Sequence, residues 1–515
     1  GRPVIFALSH LGNWELFAQI IPHAFPSFQS GTVYQKLRNR RIDEFVRQQR
    51  ARFGAHLFER SSGFQEAIRL LRGPAILGVL SDQHAGDAGM WTPFFGRLAS
   101  TSPLPAVLCK RTGAALIPAA IYTAGRAKWR MAFGPPLDQP NDSVPTLTAR
   151  TNAAIAEEIR QSPEDWFWVH NRWKTPKPDW LLTEYKRGIF LPDDAKELQP
   201  FRILIRASNW LGDSIISLPA VRAIKRGRPD AHVTILTPEK NAAVWRLVPE
   251  VDAVISLGKM SLGAVRRALR RETAFDVGIA FPNSLRSALE LWLGSIPRRV
   301  GYAGHHRRWL LNQIVRPVER RGPPPHQVEH YLDLARSLGV EATVGEIALA
   351  STGASAKIEA RFGLCPGAEY GPAKRWQPER FAETAAAIGG KWVLFGTARD
   401  KEIGRQIAES LGENCVNLIG QTTLEQLIDE LRQCALLLTN DTGTMHLATL
   451  LGVPVAAVFG STEPSLTGPL GEKSVVVRHQ VECSPCFLRE CPLDFRCMKA
   501  VSPEEVAAKI ATLVR

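Results

Sequence analysis

The stretch RILIRASNWLGDSIISLPAVRAIKRGRPDAHVTILTP, residues 202–238, decides the fold class of most of the chain. A short apolar run comes first, then a turn that contains glycine, an amphipathic helical stretch and a second apolar run. Strand, turn, helix and parallel strand follow one another in this order in nucleotide-binding proteins. The stretch therefore predicts that an open α/β domain begins at residue 202.

A second series of the same kind begins near residue 362. Its runs include GLCPGAEYG, KWVLFGTARDKEIGRQIAESL, ALLLTNDTGTMHLATLLG and VPVAAVFG. Two successive α/β halves of about 150 residues each, a common domain size, predict a pair of Rossmann-like domains that face each other across a cleft. We place them at residues 202–348 and 349–515.

The first part of the chain alternates strand-like runs, such as PVIFALSH, AILGVLSD and ALIPAAIY, with helical stretches. This alternation is typical of an α/β domain, which we place at residues 1–176. Residues 177–201 are rich in proline and charge and lack periodicity, so they are predicted to form a linker or docking segment. Because the chain starts with Gly1 rather than Met, we expect the native N-terminus to lie upstream.

Composition limits the classes of function. Hydrophobic residues make up 45% and charged residues 22%, which is typical of a globular protein in water. No apolar run approaches the roughly 18 to 20 residues needed to cross a bilayer. The net charge of +14 favours anionic partners. No zinc-finger, helix-turn-helix or RNP pattern accompanies the basic clusters, so we expect no nucleic-acid partner.

Asp213, in the turn of the opening stretch, is a candidate catalytic base. Transfer of a sugar from a nucleotide carrier needs a base for the acceptor hydroxyl, a means to neutralise the departing diphosphate and a pocket for the nucleotide. Asp213 follows Gly212 where a carboxylate faces the cleft, yet an aspartate there also suits the N-terminal cap of the following helix. The local pattern leaves both interpretations open.

Two loops of the second half are candidates for the diphosphate site. In TNDTGTMHLATLLG a buried strand leads into a helix whose first backbone N–H groups suit an anion. In CPGAEYGPAKRW the glycines allow close approach of the backbone, and Lys374 offers a point charge. The candidate residues of the first loop are Asp441, Thr442, Gly443, Thr444 and His446. The chain has no Asp-x-Asp motif, so we expect backbone dipoles and lysine, rather than Mg²⁺ or Mn²⁺, to neutralise the diphosphate.

Six segments of residues 202–515 resemble one family, in family order: NWLGDSIISLPA, FPNSLRSAL, IPRRVGYAGHHRRWLLN, CPGAEYGPAKRW, VLFGTARDKE and NDTGTMHLA. They are similar to the ADP-heptose transferases of glycosyltransferase family 9, in particular to lipopolysaccharide heptosyltransferase II. The resemblance implies a GT-B fold and inverting transfer of heptose from ADP-heptose to an inner-core heptose of lipopolysaccharide, with no cofactor. It assigns Asp213 as the general base. The residues that it places around ADP-heptose are Lys374, Glu369, the loop from Asp441 to His446, and Glu402 or Asp400 at the ribose.

The C-terminal cysteines form a further candidate site. The segment CSPCFLRECPLDFRC contains one C-x-x-C pair and two further thiols, and its cysteines are Cys483, Cys486, Cys491 and Cys497. Four such thiols suit a small structural zinc site, although a paired-knuckle zinc ribbon would need a second C-x-x-C pair. Structural zinc therefore stands as an alternative to free or disulfide-forming thiols.

The stretch ALSHLGNWELF, residues 7–17, places His10 five positions before Glu15. A histidine in the turn before a helix, oriented by a carboxylate, can take a proton from a hydroxyl, as acyl transfer to an alcohol requires. A capping histidine followed by a surface glutamate would give the same local pattern.

Further segments of residues 1–176 accompany SHLGNWE, namely LSDQHAGDAGMWTPFFGRLAS, AALIPAAIY and WFWVHNRWK. Together they resemble the lipid A late acyltransferases, which add lauroyl or myristoyl chains to Kdo-lipid A. The resemblance implies that His10 is the base with Glu15 as its partner, that the acyl donor is carried on acyl carrier protein, and that the acceptor is a hydroxyl of lipid A. The substrate-binding residues implied are Asp82, Phe94, Gly96 and Arg172. Members of that family normally have an N-terminal membrane helix, so we expect this domain either to be truncated or to have lost its anchor.

These features together predict a fused enzyme of lipopolysaccharide assembly, peripheral at the cytoplasmic face of the inner membrane. Its expected partners are the lipopolysaccharide inner core, a lipid A precursor, acyl carrier protein and the membrane surface. In one alternative, only the heptosyltransferase is active and residues 1–176 are a lipid-binding module. In another, a related glycosyltransferase acts on a different glycan.

Overall fold

The computed structural model of the chain describes residues 1–175, 179–182, 187–193, 198–349 and 361–513. Its contacts divide it into two compact units, Gly1–Pro200 and Phe201–Arg515. Part of the predicted linker, residues 177–178, 183–186 and 194–197, lies outside the described residues. In the described part of that segment, Trp180, Leu181 and Leu182 are fully buried, and Ile189 pairs with Trp91 in an isolated β-bridge.

The first unit is built on one six-stranded sheet. Its elements are β1 Val4–Leu8, α1 Phe17–Ala24, β2 Gln29–Tyr34, α2 Arg40–Ala51, β3 His56–Glu59, α3 Phe64–Leu70, β4 Ala75–Leu80, β5 Met90–Phe94, β6 Arg97–Thr101, α4 Leu104–Thr112, β7 Ala115–Gly125, β8 Lys128–Phe133 and α5 Val144–Gln161. The sheet order is β3-β2-β4-β1-β7-β8, in which only the β7–β8 pair is antiparallel, and β5 and β6 form a separate hairpin. Because β1 and β4 are central parallel strands, they are apolar and nearly fully buried.

The register between β1 and β4 positions the ends of both strands. Leu8 lies opposite Leu80, so the residues that follow each strand leave the sheet side by side. At Gly78, in β4, an added Cβ would lie 2.4 Å from the Phe17 ring. The glycine therefore lets α1 pack directly on the sheet beneath these strand ends.

The second unit contains two parallel sheets. The elements of its first half are β9 Phe201–Arg206, α6 Leu211–Ile216, α7 Leu218–Arg226, β10 Ala231–Pro238, α8 Ala242–Arg246, β11 Ala253–Leu257, α9 Leu262–Arg271, β12 Val277–Ala280, α10 Leu285–Leu293, β13 Arg298–Tyr302, β14 Gln313–Val315 and α11 Val328–Arg336. Those of its second half are β15 Arg361–Cys365, α12 Pro378–Ile388, β16 Lys391–Leu394, α13 Lys401–Leu411, β17 Cys415–Asn417, α14 Leu424–Arg432, β18 Leu437–Asn440, α15 Gly443–Leu450, β19 Val455–Val458, α16 Pro464–Thr467, β20 Ser474–Val477, α17 Arg496–Lys499 and α18 Pro503–Leu513.

Both sheets of the second unit have the same topology, β11-β10-β9-β12-β13-β14 and β17-β16-β15-β18-β19-β20. In each, the chain moves outward from the first strand and then returns to its other side, so a switch point lies beside β9 in one sheet and beside β15 in the other. Ligands bind outside the carboxyl ends of strands at such points. This confirms the predicted α/β class with two Rossmann-like sheets, and it places the loops after β9, β15 and β18 where a site is expected.

No helix among the described residues is long and apolar enough to span a bilayer.

Candidate active sites

The loop after β9 holds Asp213 in a half-exposed position. Ser208 donates a hydrogen bond from Oγ to Asp213 Oδ2 at 3.1 Å, and Gln327 donates from Nε2 to Asp213 Oδ1 at 3.1 Å. Asp213 is the third residue of α6, whereas the cap residue is Trp210 and no side chain caps the helix. Capping is therefore excluded as the role of Asp213. A carboxylate held by two neutral donors remains able to accept a proton.

Gln327 joins Asp213 to the second half of the unit. Its backbone N–H donates to the carbonyl of Leu466 at 2.8 Å, while its side chain contacts Asp213. The neighbouring His326 donates from Nε2 to the carbonyl of Gly468 at 3.1 Å and accepts at Nδ1 from the Val328 N–H. Burial lowers the pKa of His326, which agrees with the neutral tautomer that these two hydrogen bonds require. The sequence carries no local signal of this connection, because it depends on contacts between distant segments.

Lys374 and Asp441 form an ion pair between the loops after β15 and β18. Lys374 Nζ lies 2.5 Å from Asp441 Oδ2, and Thr462 Oγ1 donates to the same oxygen at 2.7 Å. The predicted point charge of Lys374 is therefore part of an ion pair, and its contact with a diphosphate stays a prediction. Its ammonium group is anchored by Asp441 and keeps two further N–H groups for a ligand.

The start of α15 is built to approach another backbone closely. Thr442 is its cap residue and makes no side-chain cap, so the first N–H groups of the helix lack a side-chain acceptor. An added Cβ on Gly443 would lie 3.1 Å from Leu211 Cβ, and one on Gly212 would lie 3.0 Å from His446 Cδ2. The two glycines thus let the helix of Asp213 and the predicted diphosphate loop touch.

His446 is buried beneath this contact, and burial lowers its pKa to about 4. It is therefore neutral near pH 7 and contributes no positive charge to the site. Thr444 lies next to Gly443 in the first turn of α15 and is partly exposed.

The acidic residues predicted around the nucleotide have different environments. Glu369 is exposed in the loop after β15, and Glu402 is exposed on α13, where Arg405 lowers its pKa. Asp400 is buried and accepts hydrogen bonds from Thr397, so it caps the helical turn before α13. Asp400 is committed to this structural role, which leaves Glu369 and Glu402 as the accessible carboxylates.

The four C-terminal cysteines are all free thiols. Burial raises the pKa of Cys497, and the neighbouring thiols of Cys483, Cys486 and Cys491 raise it further, so the four lie near one another. In the part of the chain that the structure describes, no group of three His, Cys, Asp or Glu side chains is arranged to hold a metal ion. Structural zinc at these four cysteines stays a prediction, beside the alternative of free thiols.

In the first unit, His10 pairs with Asp82. The His10 Nδ1 atom lies 2.7 Å from Asp82 Oδ1, and the His10 backbone N–H and the Trp166 Nε1–H both donate to Asp82 Oδ2. Burial alone would raise the pKa of Asp82, but the hydrogen bonds from His10 and Trp166 lower it overall, which keeps the carboxylate ionised. Asp82 thereby fixes the imidazole with Nδ1 protonated and leaves Nε2 as the base.

Glu15 does not contact His10, contrary to the sequence prediction. It forms a two-point ion pair with Arg50 instead, at 2.5 and 2.8 Å. The physical reason is strand register: His10 and Asp82 each lie two residues beyond the opposed pair Leu8 and Leu80. The matching endings ALSH and VLSD carry this signal in the sequence.

The other residues predicted to bind acyl substrates lie in the β5–β6 hairpin or contact it. Arg172 is fully buried and donates to the Ser100 carbonyl at 2.5 Å and to Thr101 Oγ1 at 2.8 Å, and its guanidinium lies 4.9 Å from the centre of the buried Phe94 ring. Burial lowers the pKa of Arg172 to about 10. Gly96, with φ of +76°, forms the β5–β6 turn. The side chains of Arg172 and Phe94 are buried and stabilise the hairpin, whereas Gly96 is partly exposed at its turn.

A cavity opens beside His10. Its walls are partly apolar, with Val33, Leu37, Val46, Val79 and Leu104, and partly basic, with Arg50 and Arg60. Gln83 Nε2 lies 3.3 Å from His10 Nε2 at the cavity wall. The cavity thus combines a histidine base with surfaces for an apolar chain and for an anionic group.

Two family models match separate parts of the chain. The family model described as bacterial lipid A biosynthesis acyltransferase matches residues 1–175. For this part, phosphatidylinositol mannoside acyltransferase of Mycobacterium tuberculosis is 25% identical over 177 residues, which are 34% of this chain and 55% of that protein.

The model described as glycosyltransferase family 9 (heptosyltransferase) matches residues 262–495. Lipopolysaccharide heptosyltransferase 2 of Salmonella typhimurium is 34% identical over 307 residues, which are 54% of this chain and 88% of that protein. A solved structure of the E. coli ADP-heptose lps heptosyltransferase II is 29% identical with a TM-score of 0.50, over 61% of this chain and 98% of that one. The chain belongs to the heptosyltransferases of glycosyltransferase family 9, and residues 1–175, ahead of that part, match the family model of the bacterial lipid A biosynthesis acyltransferases.

Proposed function

We propose that the second unit transfers heptose from ADP-heptose to an inner-core heptose of lipopolysaccharide, with inversion, and that Asp213 is the general base. The observation that carries this proposal is the close approach of α6 and α15 through Gly212 and Gly443. This approach brings the Asp213 carboxylate, which has no cationic partner among the described residues, next to the start of α15. The first N–H groups of α15 have no side-chain cap. A hydroxyl acceptor and a diphosphate leaving group need these two features side by side.

In this reaction the proton of the acceptor hydroxyl moves to the Asp213 carboxylate. The acceptor oxygen forms a bond to the anomeric carbon of heptose from the face opposite ADP, and the bond from that carbon to the diphosphate oxygen breaks with its electron pair. ADP leaves with the added negative charge. The N–H groups at the start of α15 and the free N–H groups of Lys374 stabilise that charge.

Turnover by the full chain with ADP-heptose and a heptose-terminated core acceptor tests this proposal. ADP release and product mass are followed for wild type, Asp213→Asn and the surface control Asp429→Asn, at an exposed position of α14. Asp213→Asn should lower kcat by about 10² to 10⁴-fold, the contribution typical of a general base, and leave the Kd of ADP-heptose within threefold. The control should match wild type. If Asp213→Asn kept its kcat, Asp213 would not be the general base. If wild type showed no turnover, ADP-heptose would not be the donor.

A second activity is favoured by the His10–Asp82 pair and the cavity beside it. We propose that the first unit transfers a fatty acyl chain from acyl carrier protein to a hydroxyl of lipid A. His10 Nε2 takes the hydroxyl proton, the oxygen attacks the thioester carbonyl, and the carrier thiolate leaves and receives that proton from His10. Asp82 stabilises the imidazolium formed in between. Both reactions would then act on one growing lipid at the cytoplasmic face of the inner membrane.

A further inference from the structure

We propose that Trp210 and Lys240 form a subsite that holds the acceptor, with the indole stacked on a sugar ring and the ammonium group paired with an anionic group of the same glycan. The inference rests on the proposed heptose transfer and deepens it, because it names the surface that presents the acceptor hydroxyl to Asp213.

The indole of Trp210 is exposed on a fixed backbone. Its exposed fraction is 56%, whereas Trp245, in the same half, is buried. The preceding Asn209 is held on both sides, since its side chain accepts from Arg206 at 2.8 Å and its carbonyl accepts from Asn241 at 3.2 Å. Arg206 is itself buried and paired with Glu290. An aromatic ring on a backbone held in this way loses little conformational freedom when it binds a ligand.

The position of Trp210 points to the acceptor. Trp210 is the cap residue of α6, and its backbone N–H and the Asp213 carboxylate are both hydrogen-bonded to Ser208 Oγ, at 3.4 and 3.1 Å, which holds the two residues at the same end of the helix. Leu211 and Gly212 follow it and contact Gly443 of the diphosphate loop. A hydroxyl that Asp213 deprotonates must therefore belong to a sugar close to this indole. An indole offers a flat apolar face, and the C–H face of a sugar ring is its natural partner.

Lys240 adds a charge to the same surface. Its Nζ lies 5.2 Å from the centre of the Trp210 ring, and among the described residues it pairs with no carboxylate. Lys240 follows β10, the neighbour of β9 in the sheet, so both residues belong to the first half of the unit. The residues proposed for ADP lie in the second half. The cation is thus available to an anionic group of the acceptor, either a sugar-acid carboxylate or a phosphate.

The experiment measures acceptor and donor separately in the full chain. The variants are Trp210→Ala, Trp210→Phe and Lys240→Gln, with Trp292→Ala, another exposed indole on α10, as the matched control. Binding of the core oligosaccharide is measured by calorimetry in the presence of ADP, and KM is measured for both substrates. Trp210→Ala should weaken acceptor binding about tenfold to thirtyfold, in line with loss of one stacked ring. Trp210→Phe should recover most of it, and the Kd of ADP-heptose should stay within twofold.

Lys240→Gln should weaken acceptor binding about threefold to tenfold. With an acceptor stripped of phosphate, a vanished difference between Lys240→Gln and wild type assigns the anion as phosphate, and a retained difference assigns it as carboxylate. Unchanged acceptor binding in Trp210→Ala would overturn the subsite while wild-type turnover upholds the transferase. If Trp210→Ala lost the same affinity for ADP-heptose, the subsite would be refuted and the indole would be assigned to donor binding. Wild type that binds neither substrate would overturn the proposed function as well.

Discussion

Replacement of Asp82 by asparagine should slow acyl transfer strongly, with little change in the fold. Three donors converge on the Asp82 carboxylate, two from His10 and one from Trp166. Asparagine has the same shape but only one acceptor oxygen. If that oxygen serves the backbone N–H of His10 and the Trp166 indole, the amide NH₂ faces Nδ1. The imidazole must then carry its proton on Nε2, which can no longer act as the base.

The expected loss follows from these contacts. The variant removes a charge-assisted hydrogen bond of 2.7 Å to a group that becomes cationic during turnover. It also holds the histidine in the unproductive tautomer. Together these effects should lower the acylation rate about 10³-fold, which corresponds to about 4 kcal/mol of transition-state stabilisation.

Glu15→Gln is the matched comparison, because the sequence alone favours Glu15 as the partner of His10. The ion pair of Glu15 with Arg50 is partly exposed, and such pairs contribute about 0 to 1 kcal/mol. The acylation rate of Glu15→Gln should therefore stay within about fivefold of wild type. The assay follows acyl transfer from acyl carrier protein to a lipid A precursor by product mass. A thousandfold loss in Glu15→Gln together with an active Asp82→Asn would refute the assignment of Asp82.

Three further predictions concern other parts of the chain. Gln327→Leu should lower kcat for heptose transfer about tenfold with the KM of ADP-heptose unchanged, since it removes a donor to Asp213; an unchanged kcat would contradict this role. Lys374→Met should raise the Kd of ADP-heptose at least tenfold, because it also leaves Asp441 unpaired. Adding Asp441→Asn to this variant should restore part of the affinity. A normal Kd for Lys374→Met in calorimetry would contradict the prediction. Burial raises the pKa of Glu158 from 4.5 to about 8, so the folded chain keeps this carboxyl protonated at neutral pH. The free energy of unfolding is therefore unaffected by this group below pH 4.5 and decreases as the pH rises toward 8. Denaturant unfolding should show Glu158→Gln more stable than wild type at pH 8 and equal at pH 4, and a difference independent of pH would count against this.

The fold of the second unit was predictable because its signals are local. The turn after β9 and the loop before α15 each follow a buried strand directly, and the two apolar series have the spacing of repeated β-α units. The same local patterns predict Asp213 and Gly443 as candidate site residues. Sequence could not show that Gln327 reaches Asp213, since 114 positions separate them.

The first unit shows where local reasoning fails. His10 and Glu15 are close in sequence, yet the partner of His10 comes from the neighbouring strand, because parallel register aligns strand ends that are 72 positions apart. Arg172 has the chemistry of a substrate contact, but its complete burial makes it a support for the β5–β6 hairpin. Charge type is readable from sequence, whereas burial depends on the packed fold.

The central claim is that one chain carries two transferases with separate bases. The most direct test is one incubation of the full chain with ADP-heptose, acyl-acyl carrier protein and a heptose-terminated lipid acceptor, analysed by mass spectrometry. We expect products that gain a heptose, an acyl chain or both. Asp213→Asn should remove only the heptose increment, and His10→Ala only the acyl increment. If either variant removed both increments, or wild type gave neither, the claim would be wrong.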